Sequence, residues 1–571
     1  MINSNQEKAV KTTDGPVRII AGPGTGKTFT LISRVEYLIR EHKVMPWKIL
    51  VISFTNKAAN ELSFRLSEKE INNVNVTTFH SLAAQMLRKF LNSDFKIIDA
   101  ETQKEILKNI LTEDEFKEVN DILRKLQDSK ESLANIEENR LAEIKKSYQK
   151  NLDKNNFLDF YQLLKTFHFL LKNDEIVRSK CRELFDYIMV DEYQDVNQIQ
   201  MDIVNILSEI HQNICIVGDP DQTIYSWRGS DVANMSNFLI KYNNAKTIFL
   251  SENYRTPKLI LEGASNLIKN NKNRLNTNIN AVKEDEHKIN IWNSLYENQL
   301  YEILSTVLEN TFGSHSNMQE ADVLDHNCKE LFCFKDMAIL FRTGHQATRV
   351  ASFLSRKGYP YQIAKDDNFR AKKEIMDFVK ILEYLLDFEK FSADNFEIWL
   401  HKKIDDYNSK NKFSEEKRKN VLNLLSFGFQ FRDFPPKEGL INFLDSIKNM
   451  QDSDNIIEAD KINLLTLHAS KGLEFPIVIL WGLEENNLPL KKHIDDSYFL
   501  EEERRLMYVG MTRTKQYLHI FSNKRYGDKI FKKSRFINEI GDMCFEERIL
   551  EQKRENKIRK KEMEKAQMKM F

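Results

Sequence analysis

Residues 21–28 read AGPGTGKT, preceded by the apolar run Val17–Ile20 and followed by FTLISRV. That order describes a buried strand, a tight glycine-rich turn and a helix. Gly22, Gly24 and Gly26 let the backbone turn sharply and present N–H groups to phosphate oxygens at a helix N-terminus. Pro23 and Thr25 complete the loop. Lys27 is placed to neutralise the terminal phosphates of a nucleotide, and the Thr28 hydroxyl to bind Mg2+. Ala21 stands where the strict G-x-x-x-x-G-K-T pattern has glycine, so the loop is a variant of it.

A magnesium-dependent hydrolase also needs an acid at the end of a second buried strand. FDYIMVDEYQDV (185–196) offers one. Tyr187–Val190 is an apolar strand, and Asp191 follows at its C-terminal end, where parallel sheets present ligands. Asp191 is expected to hold the metal through water, and Glu192 to accept a proton from the attacking water.

The chain has 571 residues, enough for several domains, with 41% hydrophobic and 30% charged residues. No apolar stretch reaches the ~18 residues of a membrane span. The N-terminus MINSNQEKAV lacks an apolar signal core. Five scattered cysteines fit a reducing compartment, so a cytoplasmic protein is expected. Lys plus Arg and Asp plus Glu each total 85, so any surface for a polyanion must be local. The tail KRENKIRKKEMEKAQMKMF (553–571) is basic; it reads either as a solvated end or as a DNA-contacting arm.

AGPGTGKT, DEYQD, VGDPDQTIYSWRGSD (217–231), LSENYRTP (250–257), TLHASKGLEFP (466–476) and EEERRLMYVGMTRTK (501–515) occur in that order. NQEKAV (5–10), ISFTNKAANEL (52–62) and TTFHSLA (77–83) join them. Together they resemble the motif series of UvrD/Rep/PcrA-type superfamily 1 DNA helicases, from about residue 3 to residue 522. The resemblance implies an α/β fold: two RecA-like P-loop motor domains, each a parallel sheet flanked by helices, each carrying a helical inserted subdomain. It also implies ATP in the cleft between them and single-stranded DNA across the top.

By that resemblance Gln6 reads the adenine edge, Tyr254 stacks on the base and Glu474 binds the ribose. Arg255 and Arg513 reach the γ-phosphate, where planar, permanently cationic groups best meet charge on the transferred phosphoryl oxygens. Gln222 senses that phosphate and links it to the DNA loop. Phe29 departs from the arginine that many relatives have after GKT, which removes any base or ribose contact such an arginine makes.

Single strands are held by stacking bases on aromatic rings. In QTIYSWRGSD, Tyr225 and Trp227 share a face if the segment is extended, and Arg228 adds a cation. Core packing is the alternative for such a pair, but the polar neighbours argue for a platform. Phe54 and Phe160 match positions that contact bases in relatives, although DFYQL replaces the usual DFDDL around Phe160, which leaves core packing equally open for that ring. Asn56, Thr78, His80 and His468 resemble residues that contact phosphate or couple the two sites.

The expected organisation is a first motor at 1–90 and 182–255, its helical insertion at 91–181, a second motor at 256–386 and 461–545, its reduced insertion at 387–460, and a basic tail at 546–571. Residues 312–334 look inserted. His326, Cys328 and Cys333 there lack a fourth ligand and the usual C-x2-C spacing for zinc, so a polar loop is expected. The second-motor insertion is short for the family, and a long C-terminal extension is missing.

The function expected is ATP-dependent 3′–5′ movement on single-stranded DNA with unwinding of forked duplex, in repair, replication or recombination. Two rivals keep other roles open. The chain could be the motor subunit of a defence or recombination complex with a separate nuclease or repair-protein partner. It could also be a non-motor ATP switch, against which the two arginines argue. The tail after Phe545 is too short for a nuclease core, and no membrane partner is expected.

Overall fold

The computed structural model describes residues 2–548 apart from 92–94, 128–136, 276–277, 286, 313–331, 364–371, 390, 392–394, 412, 449–458 and 527–528. His326, Cys328 and most of the 312–334 segment therefore lie outside the described residues, as does the tail beyond 548. Cys333 is described and exposed.

The first lobe is a six-stranded sheet in the order Asn75–Thr78, Ile49–Ser53, Tyr187–Val190, Ile214–Gly218, Val17–Ala21, Lys246–Leu250. Every pairing is parallel. Parallel strands are covered on both faces and so read as continuous apolar runs; VRIIA, ILVIS and ICIVG are buried at every position. Successive residues serve opposite faces. Ile20, Leu50, Ile52, Val190 and Ile216 pack with helices Phe79–Leu91, Phe160–Asn173 and Gln198–Leu207. Ile19, Val51, Met189 and Val217 pack with helices Lys27–Arg40 and Asn56–Ser67.

The second lobe is a seven-stranded sheet, again parallel throughout. Its order is Tyr361–Ile363, Ile462–Thr466, Met337–Phe341, Phe475–Trp481, Thr514–Asn523, Ile289–Ser294, Phe545–Arg548. Helices Lys258–Ile268 and Ser497–Met511 cover one face, helices Glu297–Phe312 and Gly344–Lys357 the other.

Two boundaries differ from the sequence expectation. The first insertion has its own core of Ile98, Leu107, Ile122, Leu123, Ile144 and Leu152. Helices Phe160–Asn173 and Glu175–Arg182, placed in that insertion by the 91–181 reading, instead send Leu163, Phe167, Leu171, Val177 and Cys181 into the first-lobe core. In the second insertion the boundary at 387 falls in the last turn of helix Lys373–Phe388. That helix joins Phe396–Lys410 and Pro436–Lys448 around Phe378, Trp399 and Phe443. Helical periodicity shows that a helix has an apolar stripe, not which core receives it.

The second insertion leans on the first lobe. Arg88 pairs with Asp445 at 2.5 Å, and the Gln430 N–H donates to Asn60 Oδ1 at 3.1 Å.

Helix Ser497–Met511 is buried along most of its length, including its charged run Glu501–Arg505. Glu503 is the tightest node. Arg342 grips it bidentately, with Nη2 2.6 Å from Oε1 and Nε 2.9 Å from Oε2, and His493 Nδ1 lies 2.7 Å from Oε1. Burial raises the carboxyl, but the bonds from His493 and Arg342 outweigh it and hold Glu503 near 2. A depressed carboxyl contributes stability above its ordinary value near 4.5, lost as pH falls towards 2. Glu503→Ala strands a largely buried guanidinium and is expected to cost about 3 kcal/mol or more, read as a lower denaturant midpoint at neutral pH. The gap to wild type should narrow as the pH is lowered through that window.

Candidate nucleotide cleft and nucleic-acid interface

Three loops leave the carboxyl edge of the first sheet side by side: AGPGTGKT after Val17–Ala21, GDPDQ after Ile214–Gly218 and DEYQD after Tyr187–Val190. In the phosphate loop Gly24 (φ 65°) and Gly26 (φ 82°) are left-handed. A Cβ on Gly24 would also meet Arg255 Cβ at 2.7 Å, and one on Gly26 would meet Gln6 Nε2 at 2.7 Å. Gly24 needs glycine for conformation and for space, and Gly26 for its left-handed conformation.

Gln6 and Tyr254, expected on the base side, both contact this loop. Gln6 Nε2 donates to the Thr25 carbonyl at 3.0 Å, and the Tyr254 N–H donates to the Gly24 carbonyl at 2.9 Å. Asn3 Nδ2 donates to Tyr254 Oη at 2.8 Å, and Asn3 also caps the helix that carries Gln6. Asn253, not singled out by the sequence, donates from Nδ2 to the Pro23 carbonyl at 2.5 Å and accepts the Arg255 and Thr256 N–H groups. It ties the loop to the arm bearing Arg255. Tyr254 (40% exposed) and Phe29 (43% exposed) are large rings open to solvent beside the loop.

Lys27 Nζ lies 3.5 Å from Glu192 Oε1. Asp191 is buried; burial, then the charge of Glu192, pushes its carboxyl up. Glu192 shifts down: burial opposes ionisation, and the charges of Lys27 and Lys471 outweigh it. Glu192 also has φ 50°, ψ 42°, a left-handed conformation that costs a non-glycine residue about 1 kcal/mol or more. Strain of this kind at the end of a strand aims the carboxylate into the cleft beside Lys27.

The second lobe completes the cleft. Arg513 is buried; its Nη2 donates to Gln222 Oε1 at 3.2 Å and its Nε to the Val509 carbonyl at 2.9 Å. Arg255 pairs with Glu474 at 2.5 Å, and Lys515 holds the other carboxylate oxygen at 2.7 Å. Burial, then the charge of Arg255, pushes the Arg513 guanidinium down. Lys27, Arg255 and Arg513 thus gather positive charge around a loop of backbone donors, which suits a polyanionic nucleotide. Thr28 and Asp191 offer hydroxyl and carboxylate oxygens, the donor set that a hard divalent cation such as Mg2+ takes. Among the described residues no group of three or more His, Cys, Asp or Glu could hold a metal ion.

Gln222 begins the loop that runs to the aromatic cluster. Phe54 and Tyr225 stack at 5.3 Å, Tyr225 and Trp227 meet edge to face at 6.3 Å, and Tyr225 and His468 lie 6.1 Å apart. The Arg228 guanidinium sits 4.6 Å from the Trp227 ring and 5.2 Å from Tyr225. His80 meets Phe160 edge to face at 5.6 Å.

Several expected strand contacts are placed differently. Ser226–Arg228 forms a 3-10 turn, so Tyr225 and Trp227 do not share an extended face. Tyr225 is 8% exposed and packs into the second-lobe core, with its hydroxyl donating to the His468 carbonyl at 3.3 Å. Polar neighbours in sequence did not keep it out of a core formed by the other lobe. Thr78 is buried and accepts the Ser81 N–H at 3.3 Å, capping its helix. Asn56 is buried and donates to the Ser446 carbonyl at 3.3 Å. Burial, then Arg228, pushes His80 down to about 4; burial, then Arg342, pushes His468 down to about 3. Both rings are neutral at pH 7 and can donate a hydrogen bond but carry no charge for phosphate.

The sequence reading also missed Lys471, within ASKGLEF. Its Nζ lies 2.5 Å from Asp195 Oδ2 in DEYQD and donates to the Gln222 carbonyl at 2.6 Å. Arg505 and Glu502 reach the same loop. A charge pair that closes only across two lobes leaves no local signal.

Residues 2–243 match the UvrD/REP helicase N-terminal domain, and residues 248–395 and 389–525 the UvrD-like helicase C-terminal domain. The chain is similar to the ATP-dependent DNA helicase PcrA of Bacillus subtilis (strain 168), at 32% identity over 95% of this chain and 86% of the relative. Similarity to the protein of the same name from Staphylococcus aureus (strain Mu50) is 29% over 95% of this chain and 87% of that protein. No helix among the described residues is long and apolar enough to cross a membrane. With both domains matched in order across two parallel-sheet lobes that share one cationic cleft, this chain belongs to the UvrD-like family of superfamily 1 helicases.

Proposed function

We propose that this chain is an ATP-dependent DNA helicase that hydrolyses ATP with Mg2+, moves 3′ to 5′ on single-stranded DNA and separates duplex at forks. One observation carries the reading. Glu192, beside Lys27 in one lobe, feels the charge of Arg513 in the other; Arg513 bonds Gln222, and the loop from Gln222 leads to Trp227 and Arg228, with Phe54 stacked on its Tyr225. Nucleotide charge drawn to Arg513 therefore acts on the same seven-residue loop, Gln222–Arg228, that bears the aromatic platform.

In this reading Lys27 and the loop N–H groups hold the β- and γ-phosphates, and Thr28 and Asp191 hold Mg2+, which neutralises phosphate charge. Glu192 takes the proton of the attacking water; Arg255 leaves Glu474 to join Arg513 on the γ-phosphate, which frees Glu474 for the ribose. Gln6 and Tyr254 take the base. The test is ATPase and strand displacement measured together on DNA forks with a single 3′ or 5′ tail. Unwinding is expected only with the 3′ tail. Unwinding only from the 5′ tail overturns the direction, and ATPase without DNA stimulation overturns the motor.

Trp227→Ala is expected to weaken single-strand affinity about ten- to a hundredfold, the worth of one stacked base. The platform role is wrong if fluorescence anisotropy shows unchanged affinity for a thymidine oligonucleotide.

A further inference from the structure

The loop Gln222–Arg228 belongs to the first lobe by connectivity, yet the second lobe holds it along its length. Arg513 and Lys471 donate to Gln222, and Arg505 Nε donates to the Thr223 carbonyl at 2.9 Å. The Ser226 N–H donates to Glu502 Oε1 at 3.2 Å, and the Ser226 hydroxyl donates to Glu502 Oε2. Glu502, Arg505 and Val509 recur every three or four residues on helix Ser497–Met511 and so lie on one stripe. The Val509 carbonyl accepts from Arg513 Nε. One buried helix therefore joins the Gln222 end of the loop to its Ser226 end, with about 10 Å of helix between Glu502 and Val509.

We infer that Glu502 is a positioning residue that couples nucleotide-driven closure at Arg513 to the strand platform at Trp227, by holding Ser226 through both its N–H and its hydroxyl. The inference rests on the proposed roles of the cleft and the platform. Its physical basis is rigidity. A carboxylate that accepts two hydrogen bonds from the residue beside Trp227 fixes the 3-10 turn carrying that ring, and charged acceptors make such bonds stronger than neutral ones. When the helix moves with the second lobe, Ser226 has to follow. Without the carboxylate the helix still follows Arg513 and Tyr225 stays packed in the second-lobe core, but the turn carrying Trp227 loses both bonds to Glu502 and follows less faithfully. Glu502 touches neither nucleotide nor strand in this scheme, so its loss should appear as uncoupling.

The experiment uses the full chain, a thymidine oligonucleotide, Mg2+ and ATP, with a non-hydrolysable ATP analogue for binding. Two quantities are read: the ratio of DNA-stimulated to basal kcat, and the change in oligonucleotide affinity on adding the analogue. Glu502→Ala is expected to lower the ratio about tenfold and flatten the affinity change, with basal kcat within about twofold of wild type. Glu502→Gln keeps one acceptor and should fall between. Ser226→Ala removes only the hydroxyl and should lower the ratio about threefold; it and Glu502→Gln decide the matter if Glu502→Ala does not fold. Wild-type stimulation in Glu502→Ala, or equal loss of basal and stimulated rates in every variant, overturns the inference. A wild-type enzyme that DNA does not stimulate overturns the parent reading and this inference with it.

Discussion

Arg513→Ala is expected to lower the kcat of the DNA-stimulated ATPase by about three decades or more. The magnitude follows from the charge to be met. Phosphoryl transfer spreads negative charge over three oxygens, and a guanidinium supplied from a second lobe stabilises it only when the lobes are closed. Arg513 is prepared for this. It is buried, its Nε is fixed on the Val509 carbonyl, its Nη1 lies 3.2 Å from the Leu473 carbonyl, and its Nη2 points at Gln222. Little side-chain entropy remains to be lost on engaging phosphate. Burial, then the charge of nearby Arg255, pushes the Arg513 guanidinium down, and the charge of a bound phosphate would offset both. Arg513→Lys should recover little, since an ammonium lacks the planar fork. The measurement is steady-state kcat at saturating DNA, with a denaturant midpoint to show that the variant is folded. A folded Arg513→Ala variant within about threefold of the wild-type rate would remove the second lobe from the chemistry and with it the motor.

The phosphate loop was legible because each of its residues answers a local requirement. Gly24 and Gly26 need left-handed backbone and Val17–Ile20 needs cover on both faces, and both demands are written in residue type. The carboxyl edge of strand Tyr187–Val190 was legible for the same reason, since an apolar run ending in Asp191 marks it, whereas the order of the strands carries no local signal. What failed were statements about partners distant in sequence. Tyr225 sits among polar neighbours, yet its ring joins Phe54 and His468 from opposite ends of the chain. Helices Phe160–Asn173 and Lys373–Phe388 have the expected periodicity but join cores on the other side of the expected boundaries. Thr78 and Asn56 carry polar groups that suit phosphate and equally suit a helix cap or a carbonyl across the lobes. Lys471, Arg505 and Glu502 were present in the quoted motifs without being singled out, since a buried charge is identified by its partner and each of theirs lies in the other lobe.

Glu192→Gln is expected to reduce kcat by about two to four decades while leaving ATP and DNA bound. Two acids follow one strand, and their surroundings separate their tasks. Asp191 is buried with its carboxyl raised, which suits a ligand whose charge a cation compensates. Burial opposes ionisation of Glu192, but Lys27 and Lys471 outweigh it, so at neutral pH it is the unprotonated carboxylate that a general base has to be. Its left-handed backbone sets it beside Lys27, where the γ-phosphate is expected. Glutamine keeps the length and most of the hydrogen bonding but cannot accept the proton of an attacking water. The loss should therefore fall on the chemical step: single-turnover hydrolysis slows, while equilibrium binding of ATP and of a thymidine oligonucleotide persists. Asp191→Asn should differ, raising the Mg2+ concentration needed for half-maximal rate. If Glu192→Gln retains near-normal DNA-stimulated hydrolysis, the base lies elsewhere, and the strained backbone at Glu192 serves only to place Lys27.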